Sequence, residues 1–254
     1  MDQPIEEKPL RVAMWSGPRN ISTAMMRAWE NRADTAVWDE PLYAYYLKAT
    51  GADHPLASEI IDHYETDWRR VVDACLGPVP GGRKIFFQKH MTHHVLDEMS
   101  LDWLAGLSHV FLMRRPDQVI ASYAAARDRF TVQDIGILQQ DRLFDRIRVL
   151  TGKPPPVIDC DDVLANPEGL LRALCAALSV AFDPAMLSWP SGRRQTDGIW
   201  ASHWYANVER STGFSPRPEV DRKVPEALIA MAEHCWPFYE RLHGVRLRAE
   251  TLQR

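Results

Sequence analysis

The sequence predicts an α/β protein of three layers, with a mainly parallel central sheet and helices on both of its faces. Two observations predict it. Five short apolar runs alternate with longer stretches of helical periodicity, and Gly- and Pro-rich breakers fall where a helix should hand over to a strand. Composition agrees: 254 residues, 46% hydrophobic and 25% charged, carry enough apolar material for a sizeable core. One domain covering 1–254 is expected.

The strands are expected at residues 10–15, 35–38, 84–87, 109–113 and 156–158. After the first, Ile21, Ala24, Met25, Ala28 and Trp29 repeat at i, i+3, i+4, i+7 and i+8, which places one apolar stripe on a helix. A long helix over residues 56–76 runs into the breaker Gly77-Pro78-Val79-Pro80-Gly81-Gly82. Further helices are expected at 118–129, 134–150 and 168–178, with a second breaker at 152–156. Residues from about 188 to 224 have weak periodicity and many Trp, Gly, Pro and Ser, so they read as a long excursion before a C-terminal helix near 225–242. Excursions of that length are often functional.

Charge and spacing exclude several classes. No stretch free of Asp, Glu, Lys and Arg exceeds eleven residues, too short for a membrane-spanning helix. A net charge of −4 gives no general attraction for polyanions, so nucleic acid is not an expected partner. The cysteines Cys75, Cys160, Cys175 and Cys235 form no CxxC pair and read as reduced thiols, with neither zinc nor redox chemistry. The first ten residues lack a basic segment followed by an apolar one, so the expected location is cytoplasmic.

Two segments point to anion binding. In Val12 to Ala24 an apolar strand turns into a helix whose first-turn amides and dipole favour an anion, and Pro18, Arg19, Asn20, Ile21, Ser22 and Thr23 form the turn. Arg19 adds a full charge; Ser22 and Thr23 add hydroxyl donors. The ATP-type Gly-Lys-[Ser/Thr] signature is absent, because Asn20-Ile21 stands in its place. In Ser108 to Tyr123 a second strand ends at Arg114-Arg115, followed by Pro116 at the favoured first helical position, with Ser122 two turns on. An arginine there offers a bidentate fork to a phosphate, and the two strand ends should converge on one crevice of the sheet.

Together these segments resemble the sulfotransferases that use 3′-phosphoadenylyl sulfate (PAPS). Pro18 to Thr23 is similar to that family's 5′-phosphosulfate loop, and Arg114, Pro116 and Ser122 are similar to its 3′-phosphate motif, Arg-x-Pro with a Ser eight residues after the Arg. The likeness extends through Asp161 to Gly169, and covers about residues 10–190. It implies a P-loop-like nucleotide-binding architecture, PAPS as co-substrate, transfer of a sulfuryl group to a hydroxyl or amine of an unknown acceptor, and no metal. The departures are Asn20 for a serine, Ile21 for a glycine, Ala24 for an adenine-stacking Trp, and Asp117-Gln118 for a basic-Asp pair. Gly192-Arg193-Arg194 is the nearest substitute for the family's basic C-terminal loop, so Arg193 and Arg194 are candidate nucleotide contacts.

Sulfuryl transfer needs cations on the leaving phosphate and a base on the acceptor. Glu40, at the end of the second strand after Asp39, resembles the strand-end glutamate base of tyrosylprotein sulfotransferases. His90, next to Lys89, resembles less closely the Lys-x-His segment of cytosolic members; Glu40 ranks first and His90 second as the base, with Lys89 a sulfate contact. Were residues 90–94 helical, His90, His93 and His94 would share one face, but HExxH and a third ligand are missing, and no metal is expected. Trp189, Trp200, Trp204, Tyr205 and Phe214 are expected either in the core or as an adenine stack or acceptor-pocket wall, and the Tyr43–Tyr46 run either in the core or in contact with the acceptor. Two alternatives stay open: a P-loop kinase holding Mg²⁺ on Asp39-Glu40 or on the acids at 159–162, and an anion-binding protein without turnover.

Overall fold

The computed structural model describes residues 8–127, 129–215 and 223–249. Five parallel strands, β1 (Leu10–Ser16), β2 (Thr35–Asp39), β3 (Ile85–Met91), β4 (Ser108–Met113) and β5 (Val157–Asp159), form a sheet in the order β2-β3-β1-β4-β5. The helices are α1 (Ser22–Glu30), α2 (Tyr43–Thr50), α3 (Ala57–His63), α4 (Trp68–Leu76), α5 (Pro116–Ala124), α6 (Val132–Ile135), α7 (Ile137–Thr151), α8 (Cys160–Ala165), α9 (Pro167–Ala177), α10 (Ala201–Trp204), α11 (Ala206–Glu209) and α12 (Ile229–His243).

Alternation along the strands builds two cores. Val12, Met14, Ile85, Phe87, Val110 and Leu112 face α1, α8 and α9, whereas Ala13, Trp15, Phe111 and Met113 face α4, α5, α7 and α12. Successive strand side chains point to opposite faces, so a parallel sheet covered on both sides is apolar throughout. The expected three-layer α/β architecture is the observed one.

Several boundaries differ from expectation. The helix expected over residues 56–76 is two, α3 and α4, because the chain turns extended at Tyr64 and restarts at Asp67, whose carboxylate caps α4 by accepting from the Arg69 amide. The helix expected over 118–129 begins earlier and ends at Ala124; Asp128 lies outside the described residues. Helix α2 occupies Tyr43–Thr50, a run with no clear apolar stripe, and Gly51 closes it at φ 65°. β3 continues through Met91, which puts Lys89 and His90 inside the sheet. In the excursion, α10, α11 and a bridge between Ser188 and Gly213 are present, and residues 216–222 lie outside the described residues.

Candidate active site

The carboxyl ends of β1, β2, β3 and β4 open on one cavity of about 1390 Å³, walled on its far side by α8 and the excursion. Pockets for one small ligand run to about 1,000 Å³, so there is room here for two reactants side by side.

One end of the cavity is cationic. Gly17 leads into the loop, and a Cβ there would stand 2.6 Å from the Ile135 carbonyl oxygen, so no larger residue fits between the loop and α6. Arg19 adopts φ 58°, a left-handed conformation that costs a non-glycine residue about 1–3 kcal/mol. Ile21, in contrast, has φ −95°, within reach of a β-branched side chain, so glycine is not required there. Asn20 Oδ1 accepts from the Ser22 amide at 2.9 Å, and α1 starts with no acidic residue in its first turn. An anion at this terminus therefore meets no competing carboxylate from the helix itself.

The second anion motif arrives at the same place. Arg19 Nε donates to Ser122 Oγ at 3.1 Å, and Arg114 donates to the Arg19 carbonyl. Arg114 Nε also donates to Gln118 Oε1 at 2.9 Å, and Gln118 Nε2 to Asp161 Oδ2 at 3.4 Å. Pro18, Arg19, Asn20, Ile21, Ser22, Thr23, Arg114 and Ser122 all line the cavity. Arg115 turns away and pairs with Asp117 at 2.8 Å.

The other end holds an acid–lysine cluster. β2 and β3 set Asp39 beside Lys89 in register, and Lys89 Nζ donates to Asp39 Oδ1 at 2.8 Å, Glu40 Oε1 at 2.7 Å and Tyr205 Oη at 2.6 Å. Glu40 follows the strand at φ 43°, a second left-handed non-glycine residue at the cavity. Burial is the main force pushing the Glu40 carboxyl above its ordinary range; the Lys89 ammonium opposes it and the Asp39 charge adds to it. Lys89 is buried, yet the two carboxylates hold its pKa well above the ordinary lysine value.

His90 is not brought to this site. The period of two along β3 turns it to the opposite face, where its ring stacks on Trp15 at 4.6 Å and Nε2 meets Gln88 Oε1 at 3.2 Å. Burial lowers its pKa to about 3. The shared helical face for His90, His93 and His94 is also absent, because His90 lies in a strand and Thr92–His94 is a single 3₁₀ turn. Among the described residues no group of three or more His, Cys, Asp or Glu is arranged to hold a metal ion. His93 and His94 instead wall the cavity with Tyr43 and His54, whose Tyr43 Oη and His54 Nδ1 lie 2.7 Å apart.

Arg193 and Arg194 do not line the cavity; Arg194 is tied locally, its amide donating to Asp197 Oδ2 at 2.8 Å and its guanidinium to the Pro190 carbonyl at 3.2 Å. Asp197 pairs with the buried Arg27 of α1 at 2.6 Å, which pins the excursion to that helix. From there Tyr205 reaches Lys89, and its hydroxyl donates to Asp39 at 2.7 Å. Sequence reading found Tyr205 only as one aromatic among several, since nothing in its neighbourhood marks a partner on β2 or β3.

A five-stranded parallel sheet covered by helices on both faces, its first strand turning directly into its first helix at the cavity, defines an α/β protein. Residues 10–245 match the family model described as a sulfotransferase domain, and the chain belongs to that family. Two Arabidopsis thaliana relatives, branched-chain-amino-acid aminotransferase-like proteins 2 and 1, are each 34% identical over 94% and 93% of the chain. The chain spans 43% and 42% of their lengths, less than half. Among solved structures, it is similar to a sulfotransferase from Alicyclobacillus acidocaldarius (12% identity, TM-score 0.53, covering 94% of this chain and 97% of that one). A sulfotransferase domain of the Synechococcus PCC 7002 olefin synthase gives 16% identity and a TM-score of 0.51 over 92% and 97%. These likenesses concern the fold.

Proposed function

We propose that the chain transfers a sulfuryl group from PAPS to a hydroxyl or amine of an acceptor bound beside Glu40. One observation carries the reading: the two anion motifs meet through Arg19 and Ser122 at one end of a cavity whose other end presents Glu40. Bound PAPS would supply the sulfuryl group and a phosphate leaving group. Arg19, Ser22, Thr23 and the α1 terminus would hold the phosphosulfate, and Arg114 with Ser122 the 3′-phosphate. Ala24 leaves open the wall that a stacking Trp would fill, and Phe214, held edge-on to Trp189 at 5.1 Å, lines the same cavity as the adenine platform.

Glu40 is the base in this reading. Its side chain lines the cavity, and its raised proton affinity suits it to accept the acceptor's proton as the bond to sulfur forms. Lys89 lines the cavity too, but its three ammonium protons go to Asp39, Glu40 and Tyr205, so in this reading it holds Glu40 in place rather than contacting the sulfate. His90, on the far face of the sheet, has no part in it. Four free, buried cysteines suit the reducing cytoplasm that goes with this reading.

The kinase alternative loses support at three of the five carboxylates it could use. Asp39 is engaged by Lys89 and Tyr205, Asp159 caps α8 and accepts from Tyr239, and Asp162 pairs with Arg246 at 2.6 Å. An aminotransferase reading, suggested by the plant relatives' names, meets a similar obstacle: Lys89 is the cavity's lysine, and two carboxylates keep it an ammonium ion rather than a nucleophilic amine.

Thermal shift tests the donor site. Adenosine 3′,5′-bisphosphate should raise Tm without Mg²⁺, and ATP should do less with or without it. Stabilisation by Mg-ATP alone would overturn the proposal.

A further inference from the structure

The two carboxylates at the end of β2 are not equivalent. Asp39 is 3% exposed and takes hydrogen bonds from Lys89 Nζ, the Tyr205 hydroxyl and, at 3.3 Å, the Gly198 amide. Glu40 accepts a single hydrogen bond, from Lys89 to Oε1; its Oε2 takes none among the described residues, and the side chain borders the cavity. The three ammonium protons of Lys89 are thus shared among Asp39, Glu40 and Tyr205. The Tyr205 hydroxyl is fixed in turn by Trp200 Nε1 at 3.3 Å.

From this asymmetry we infer that Asp39 and Tyr205 are positioning residues, which take up the charge and protons of Lys89 so that Glu40 keeps one oxygen open to the cavity and free to accept a proton. This rests on Glu40 being the base. A lysine paired with one glutamate alone would hold that carboxylate firmly ionised and make it a weak base; a second carboxylate and a phenol acceptor on the same ammonium relieve it. The groups around Glu40 are Asp39 on β2, Lys89 on β3, Tyr43 at the start of α2, Tyr205 between α10 and α11, and, next to Lys89, His94 of the 3₁₀ turn. Tyr43 and Tyr205 are held neutral, with raised pKa values, and burial keeps His94 neutral, so Asp39 and Lys89 are the charges that set the balance. It also follows that the excursion is part of the catalytic edge, because it supplies Tyr205 and the Gly198 amide.

Carbon-13 NMR of the glutamate carboxyls in the full chain, with Glu40→Gln identifying the signal, tests the inference without an acceptor. In the unmodified chain Glu40 should titrate above the ordinary value of 4.5. Asp39→Asn should lower that midpoint by about one pH unit or more, since Lys89 then faces one carboxylate. Tyr205→Phe should move it the same way by less, and it carries the test if Asp39→Asn does not fold. A midpoint at or below 4.5 in the unmodified chain, or one unmoved by the folded variants, overturns the inference. Loss of the base role is a separate result: Glu40→Gln that still transfers sulfuryl groups would remove that reading and leave these midpoints untouched.

Discussion

Arg19 Nε donates to Ser122 Oγ at 3.1 Å, joining two segments 103 residues apart at one end of the cavity. The contact exists because β1 and β4 are neighbours in the sheet and each ends in a helix pointing away from the same edge. The charges at that end of the cavity are thereby placed by backbone topology rather than by flexible side chains alone.

Arg114→Ala should weaken adenosine 3′,5′-bisphosphate binding by about 2–5 kcal/mol, the usual loss when a charged hydrogen-bonding partner is removed from a shielded site. Adenosine 5′-monophosphate should be affected far less, and Ser122→Ala should repeat the pattern more weakly. Isothermal titration with both nucleotides checks it. Equal weakening of the two would mean that Arg114 does not meet the 3′-phosphate.

Arg19→Ala should act on kcat more than on nucleotide affinity. The leaving phosphate gains charge as the bond to sulfur breaks, so a cation facing it stabilises the transition state beyond the ground state. Steady-state kinetics separate the two, and a change confined to nucleotide KM would place Arg19 in uniform binding instead.

The Arg27–Asp197 pair predicts a stability effect away from the chemistry. Both side chains are essentially inaccessible, with 1% and 0% exposure, so Arg27→Met would leave the buried Asp197 without a counter-charge, held among the described residues only by the Arg194 amide, at a cost of about 3–5 kcal/mol. Chemical denaturation should show that loss. A midpoint unchanged from the parent chain would mean that the excursion is not anchored through this pair.

Acid should unfold the protein early. Burial lowers the imidazole pKa values of His90 and His93 to about 3 and of His54 and His109 to about 4, against 6.5 for the ordinary group, and holds His94 well below it. Between those values the unfolded chain binds protons that the folded chain does not. The stability these groups contribute is therefore complete above about pH 6.5 and is lost as pH falls toward the folded values, at up to about 1.4 kcal/mol per pH unit for each fully buried imidazole. Glu40 and Asp159, both raised by burial, work in the opposite direction, but they are two groups against five. Denaturation midpoints that stay level from pH 7 to 5 would contradict this.

The sheet and the two strand-to-helix turns at its edge were legible because local sequence dictates them: apolar runs of strand length, a stripe at helical spacing, Pro116 at a helix start. The long helix over 56–76 was misread because the apolar spacing of α3 and α4 continues in phase across the break, while the break itself is marked only by Tyr64 turning extended and Asp67 capping. Lys89 and His90 could be paired in sequence as neighbours, yet the pleat sends them to opposite faces. Whether β3 ended before or after Lys89 decided that, and strand ends are poorly marked in apolar sequence. Arg193 and Arg194 have the right charge, but Asp197 and Pro190 bind Arg194 locally and the pair stays out of the cavity. Tyr205 could not be assigned, because its meeting with Lys89 and Asp39 depends on the path of the excursion, which long-range contacts such as Arg27–Asp197 and the Gly198 amide on Asp39 fix.

Product formation tests the central claim most directly. The chain is incubated with PAPS and a mixed set of alcohols and amines, and sulfated product and adenosine 3′,5′-bisphosphate are followed together by mass spectrometry. Both should appear in equal amounts, and Glu40→Gln should lower their rate by about 10²–10⁴ while bisphosphate binding stays intact. A Glu40→Gln variant that matches the parent rate would contradict the assignment of the base, and binding of the bisphosphate with no sulfated product from any acceptor would contradict sulfuryl transfer itself.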